Sequence, residues 1–347
     1  MDSGSYTAAS RLQAAGLRRA ITLFEQAAEV VPIPRSPRPV VIADYGAATG
    51  HNSLLPIGAA IAVLRKRTRP EHSVLVTHTD VPENDFTALF HTLTGDPDSY
   101  LKKDHASFAS AVGRSYYTQI VPSNSVNLAW SSWSIQWLAR TPMPVGDHVV
   151  AAHSRDEAVV TAYARQAARD WHEFVAFRGR ELAPGGRLVV MTMAVADDGD
   201  FGYRPLLDAI AATQADLVAQ SVLSDDESGA MTLPVTGRRA RDFLSPFAPS
   251  GTFEKLSVEH LEVFDAEDRF WAQYRSDGKA HALGTRWAAF LRMTAFPALV
   301  ANLPVERRAG VLDALSEGVA QRLAAAPAEV RIPLALVVIE KQQRIHH

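Results

Sequence analysis

Val40-Val41-Ile42-Ala43-Asp44-Tyr45-Gly46-Ala47-Ala48-Thr49-Gly50-His51-Asn52 is the stretch on which the reading of the fold turns. Its apolar run lacks the alternation of a half-exposed strand, so it predicts a buried parallel strand. Gly46 and Gly50 then allow a sharp turn and a close backbone approach to a ligand. An amphipathic stretch over 53–67 predicts that the turn opens a helix. Strand, glycine turn and helix together make the crevice of a nucleotide-binding fold. The alternative is a turn that is structural only.

The pattern D-x-G-x-x-x-G, carried by Asp44, Gly46 and Gly50, lacks the third glycine of the dinucleotide fingerprint. It also lacks the G-K-[ST] ending of a phosphate-binding loop. A nucleoside without a pyrophosphate fits such a turn better, and S-adenosylmethionine is a ligand of that kind.

The rest of the chain narrows the choice. Its 347 residues are enough for a large core and more than one subdomain. A net charge of -3 and a pI near 6.5 give no footprint for nucleic acid. The absence of cysteine excludes disulfides, thiolate metal sites and cysteine nucleophiles. No basic segment followed by an apolar one opens the chain, and no apolar run is long enough to span a membrane. The expectation is a cytoplasmic protein without a membrane partner.

In chain order, apolar residues at helical spacing over 8–31 predict a first helix. The proline-rich connector 31–39 isolates it as an arm or lid over 1–37. Further strands are expected at 73–80, 126–130, 187–193, 254–264 and 333–339, with helices between most of them. Such alternation predicts a mostly parallel sheet covered on both faces. Two long blocks, 203–250 and 266–328, interrupt it and predict a helical cap over the crevice. The core is then 38–202, 251–265 and 329–347.

Several residues at strand ends invite a chemical reading. Asp80 closes the second strand, where an acid can accept hydrogen bonds from ribose hydroxyls, or can cap the helix that follows Pro82. Ser115-Tyr116-Tyr117 precedes the third strand and suits either an adenine ring or core packing. Trp130, Trp133 and Trp137 cluster at that strand's carboxyl end; an indole N–H is a donor only, suited to orienting a carboxylate, and the alternative is core packing of at least one of the three. The histidines show no metal-ligand spacing, and there is no G-x-S-x-G elbow. The acid clusters at 197–200 and 225–227 read as solvated loops.

Taken in order, these segments resemble the SABATH family of S-adenosylmethionine-dependent carboxyl methyltransferases. The family opening S-Y-x-x-N-S-x-x-Q is matched from Ser5 to Gln13 except at Ala9. The glycine loop is matched at Asp44, Gly46, Gly50 and Asn52, and D-L-P-x-N-D-F by 80–86. S-F-Y is matched by 115–117, H-S-S-Y-S-L-x-W-L by 130–138, and E-L-x-P-G-G-R by 181–187. The resemblance implies a Rossmann-like class I methyltransferase α/β sheet with helices on both faces and an inserted α-helical cap. It implies that Tyr6, Ser10, Asp44, Gly46, Ala47, Asn52, Asp80, Val81, Ser115 and Tyr116 hold the cofactor. Gln13 and Trp137 would position the acceptor carboxylate, with Trp133 and Ser134 beside them.

The implied reaction is methyl transfer to the carboxylate of a small aromatic or apolar acid. Such a group is already ionised at neutral pH and needs no base. Methylation of a nitrogen or another oxygen, or cofactor binding without turnover, are the alternatives. A homodimer is also implied. Departures from the family pattern fall at Trp130, Trp133 and 231–234, where Met231-Thr232-Leu233-Pro234 lacks the asparagine near which plant members place magnesium. No metal is expected.

Overall fold

The computed structural model describes residues 3–343, and of residues 3–15 the backbone alone. Its strands are β1 (Val40–Tyr45), β2 (Val74–Asp80), β3 (Ser107–Gly113), β4 (Val126–Ser132), β5 (Leu182–Met193), β6 (Leu256–Ala266) and β7 (Ile332–Lys341). They form one seven-stranded sheet in the order β3-β2-β1-β4-β5-β7-β6. β1 to β5 pair in parallel, whereas β7 runs antiparallel to both of its neighbours. The expected doubly covered α/β sheet is therefore present, with one reversed strand near its edge.

Two expectations about strands need correction. β3, Ser-Phe-Ala-Ser-Ala-Val-Gly, was not anticipated; its small residues give neither an apolar run nor a clear alternation, and it sits at the sheet edge. The strand expected at 254–264 starts at Leu256, because Glu254 and Lys255 take left-handed φ values of 50° and 63° and turn the chain.

The helices are α1 (Ser3–Val30), α2 (His51–Arg65), α3 (Phe86–Gly95), α4 (Tyr100–Lys103), α5 (Glu157–Glu181), α6 (Arg204–Ala219), α7 (Asp225–Ala230), α8 (Ala240–Leu244), α9 (Arg269–Asp277), α10 (Ala280–Thr294), α11 (Phe296–Leu299) and α12 (Val305–Ala325). Neighbouring strand residues point to opposite faces. Ile42, Leu128 and Val189 meet α1 and α2 on one face, while Ala43, Ala129 and Val190 meet Trp171, Phe174 and Val175 of α5 on the other. Among the described residues no helix is long and apolar enough to cross a membrane.

The expected arm over 1–37 is only partly an arm. From Gly16 on, α1 belongs to the core: Phe24 and Ala28 are buried, Phe24 lies against Trp130, and a side chain at Gly16 would strike Leu334. The cap also needs a new boundary. α6 and α9 to α12 stand over the carboxyl edge and share one hydrophobic cluster with the first face. α10 and α12 cross so tightly that a Cβ at Gly284 would lie 2.2 Å from the Ala320 carbonyl oxygen. Residues 240–247, assigned to the cap, instead carry Phe243 and Phe247 beneath the second face, where the Trp171 indole N–H donates to the Phe243 carbonyl (2.9 Å).

Candidate active site

The carboxyl ends of β1, β4 and β5 meet the cap around a cavity of about 380 Å³. One wall is the loop 46–52. The other walls are the β4 turn, with Ser132, Trp133, Gln136 and Trp137, and the cap, with Leu207, Leu233, Trp287 and Phe290. No Asp, Glu, Lys or Arg lines it among the described residues.

The loop is held by backbone bonds and by one glycine. Gly46 and Ala47 N–H both donate to the Thr79 carbonyl, at 2.9 and 3.0 Å. Gly46 has φ +83°, and a Cβ there would lie 2.4 Å from the Ser134 Cβ and 3.6 Å from the Tyr116 ring. Ser131 and Ser134 hydroxyls, in turn, donate to the Tyr45 carbonyl at 2.9 and 3.1 Å. Gly46→Ala is therefore expected to destabilise the fold by about 2–4 kcal/mol, from left-handed strain plus overpacking. A chemical denaturation curve measures this, and a change below about 1 kcal/mol would contradict the packing described.

Asp80 fastens the loop from β2. Its carboxylate accepts from Ala48 N–H and Val81 N–H, both at 2.8 Å, and Asn84 donates to the Ala48 carbonyl at 2.9 Å. Burial pushes the Asp80 carboxyl above its ordinary range, against the pull of those two amides. The helix-cap reading does not apply, because the cap of α3 is Asp85, which accepts from Ala88 N–H. Val81 itself is exposed beside this junction.

Asp80, Val81, Ser115 and Tyr116 are not among the residues lining the cavity, and two further predicted residues point elsewhere. The Asp44 side chain is turned into the core, 1% exposed. Its carboxylate meets His78 Nδ1 at 2.8 Å, and His78 Nε2 meets the Tyr100 hydroxyl at 2.9 Å. The carboxylate is an acceptor only, so Nδ1–H donates to Asp44, and burial pushes Tyr100 ionisation far above its ordinary range, so its hydroxyl keeps its proton. Asp44 thus supports the loop from behind and does not line the cavity. Ser134, expected beside the acceptor, lies beneath Gly46 with its hydroxyl 2.8 Å from that of Ser131. Ala47 and Asn52 do line the cavity. The side chains of Tyr6, Ser10 and Gln13 lie outside the described residues.

The Ser115-Tyr116-Tyr117 segment is held by groups that the sequence alone did not single out. Tyr116 and Tyr117 hydroxyls donate to the Ser134 and Trp137 carbonyls, at 2.8 and 2.7 Å. Ser115 Oγ accepts from Tyr117 N–H at 3.3 Å. Arg178 of α5, fully buried, donates to the Tyr116 and Thr118 carbonyls and ion-pairs with Glu181 at 2.9 Å. Glu181 also accepts from the Tyr45 hydroxyl and from Ile120 and Val121 N–H. This buried pair ties β1, α5 and the 115–121 segment together, and removing either partner would strand a buried charge. The glutamate of the E-L-x-P-G-G-R segment was the available signal.

The β4 turn carries the tryptophans. Trp133 takes φ +54°, uncommon for a bulky residue and the kind of strain that gathers at functional sites. Its N–H donates to the Met191 carbonyl at 2.9 Å. Trp137 bridges Val235 in antiparallel fashion, and Thr236 and Leu138 N–H donate to Gln136 and Pro234, so the cap strand 233–236 is laid along the turn. Arg238, fully buried, pins the same turn by donating to the Ile135 carbonyl at 2.8 Å. Trp130 points into the core against Phe24. Asp198 and Asp200 are paired with Arg331, and Glu227 with Arg307. Among the described residues no group of three or more acids and histidines could hold a metal ion.

Comparison with known proteins agrees with this geometry. A family model described as SAM dependent carboxyl methyltransferase matches residues 1–342. Methyltransferase FUS9 of Gibberella moniliformis is 29% identical over 270 residues, 77% of this chain and 69% of that protein. Methyltransferase LUC1 of a Fusarium species is 30% identical over 69% of this chain but only 63% of its own length. The salicylate carboxymethyltransferase of Clarkia breweri is 24% identical over 69% of this chain and 67% of that protein. A solved loganic acid methyltransferase with SAH superposes with a TM-score of 0.77 at 20% identity, over 100% of this chain and 98% of that one, which is a likeness of fold.

Proposed function

We propose, from the premise that this chain belongs to the family of SAM dependent carboxyl methyltransferases, that it methylates the carboxylate of a small, apolar or aromatic acid. The observation that carries the reading is the cavity wall. It joins the glycine loop to an acceptor half built from Trp133, Trp137, Leu207, Leu233, Trp287 and Phe290, with no charged side chain among the described residues.

The chemistry supplied by bound S-adenosylmethionine is an electrophilic methyl group on a positively charged sulfur. The residues present fit such a ligand. Gly46 leaves room where any side chain would strike Ser134, and Tyr116 lies beside that space. Asp80 retains lone pairs beyond the two it spends on Ala48 and Val81, and these would accept from ribose hydroxyls. Ala47 and Asn52 face the cavity from the loop. The Trp137 indole would donate to one acceptor oxygen, and Gln13 is its proposed partner in the clamp. Neutral donors orient a carboxylate without a full ion pair that would lower its nucleophilicity. A carboxylate arrives ionised, so the wall needs no base. Orientation of this kind can supply about 7–11 kcal/mol of a transfer barrier.

A matched set with one apolar skeleton tests this: an acid, its primary amide and the corresponding alcohol, each incubated with methyl-labelled cofactor. Label is expected on the acid alone, released as methanol by mild alkali. Label on the amide or alcohol, with none on the acid, would overturn the proposal.

A further inference from the structure

His51 is the first residue of α2 and stands on the cavity wall beside Asn52. It lies between Gly50 and Asn52, which the family loop specifies, at a position that the loop leaves open. The ring is half-buried and anchored at one nitrogen. Nδ1 lies 3.3 Å from the Thr92 hydroxyl and 3.2 Å from that of Thr49. Thr92 donates its own proton to the Ala88 carbonyl at 3.0 Å, so it accepts from Nδ1–H. A proton gained on acidification therefore goes to Nε2. Burial holds the pKa of His51 below the ordinary histidine value, against the pull of Asp96.

The surroundings offer that added charge little compensation. The rest of the described wall carries no Asp, Glu, Lys or Arg. Its other titratable group, Tyr203, keeps its proton, because burial pushes its ionisation far above the ordinary range. The first turn of α2 has no acid. From the end of α3, Asp96 is the charge that acts on His51. Asp80 lies behind the loop, bonded to Ala48 and Val81 N–H. A cavity of about 380 Å³ is on the order of 10 Å across, so a charge on His51 and one on a ligand interact within a Debye length.

S-adenosylmethionine and S-adenosylhomocysteine differ by one methyl group and by the positive charge on sulfur. Their amino-acid and nucleoside parts are shared, so what His51 does to those parts cancels when the two are compared. We infer that His51 sets the discrimination between the methyl donor and its demethylated product: as a neutral ring it tolerates the sulfonium, and as a cation it repels the sulfonium while sparing the neutral thioether. This role rests on the reading that the cofactor occupies this cavity. On acidification the protein then holds its product in preference to its methyl donor.

Calorimetry with each ligand at pH 7 and pH 5 tests this on the wild type, His51→Gln and His51→Lys. In the wild type the ratio of the S-adenosylmethionine Kd to the S-adenosylhomocysteine Kd is expected to rise about fivefold from pH 7 to pH 5, the size for two unit charges on the order of 10 Å apart in a medium between protein and water. In His51→Gln the ratio should change by less than about twofold. A lysine stays charged throughout, so His51→Lys should show the raised ratio at both pH values. Each ratio compares two ligands on one protein, so a partly unfolded variant does not distort it. A flat wild-type ratio would overturn the inference, as would an equal rise in His51→Gln, or a His51→Lys ratio no higher than that of the wild type at pH 7. Where the ratio is flat, Asp80→Ala separates two failures: weaker binding of both ligands removes His51 alone, and unchanged binding removes the cofactor seat as well. A shifted ratio without methyl transfer to any acid would leave the role of His51 standing and sink the proposed function.

Discussion

Replacing Asp80 by alanine is expected to weaken binding of S-adenosylhomocysteine by about 10²–10³-fold, a loss of about 3–4 kcal/mol. Two effects combine. The variant loses the proposed ribose acceptor, and it releases the Ala48 and Val81 amides that Asp80 now holds at 2.8 Å. Asp80→Asn should fall between, since one amide oxygen can serve one N–H but its NH₂ cannot accept from the other. Calorimetry on the three proteins gives the ranking, and affinity unchanged in Asp80→Ala would remove Asp80 from the cofactor site. The pH dependence has a definite sign. Binding needs the carboxylate, and burial raises its pKa, so affinity should fall on acidification at a higher pH than for an exposed aspartate. For folding the sign is opposite: a raised folded-state pKa favours the native state below the unfolded-state pKa, and that contribution is lost as pH rises through the folded-state value.

Trp137→Phe should lower kcat/KM for an acid acceptor by about 10–10²-fold, the range for one hydrogen bond to a charged group. Affinity for S-adenosylhomocysteine should stay within about threefold, because Trp137 is proposed to contact the acceptor and not the cofactor. Phenylalanine keeps most of the ring volume and removes the N–H, which separates orientation from packing. Alanine would add a cavity cost of about 3–5 kcal/mol and blur the two. Steady-state kinetics together with calorimetry check the prediction, and equal losses in both measurements would contradict the clamp.

Much of this molecule was legible before any coordinates. β1 and β7 are buried runs with few polar interruptions, β2 and β4 begin on apolar residues and end on polar ones, and the glycine loop announced itself through Gly46 and Gly50. Strand direction was not legible. A strand buried on both faces reads alike in either orientation, so nothing in residues 332–341 marked β7 as reversed. β3 escaped because an edge strand need not be apolar, and Phe108 on it is 54% exposed.

At the site, the sequence located backbone turns better than side-chain directions. Asp44 and Ser134 fall within the motifs, yet one faces His78 and the other lies under Gly46. Arg178 and Glu181 were hidden because their partners at 116–121 lie about 60 residues away along the chain. His78 looked like one more member of a buried strand until α4 brought Tyr100 against it. His51 became informative only when folding set it on the cavity wall, with Thr92 of α3 behind it.

The central claim is that one cavity, between loop 46–52 and the Trp133–Trp137 turn, holds both reacting partners. A crystal structure of the protein with S-adenosylhomocysteine and an apolar acid tests it most directly. The account predicts ribose hydroxyls on the Asp80 carboxylate, an acid oxygen within hydrogen-bond reach of the Trp137 indole, and the acid body against Leu207, Trp287 and Phe290. An acid bound outside this cavity, or a ribose away from Asp80, would contradict it.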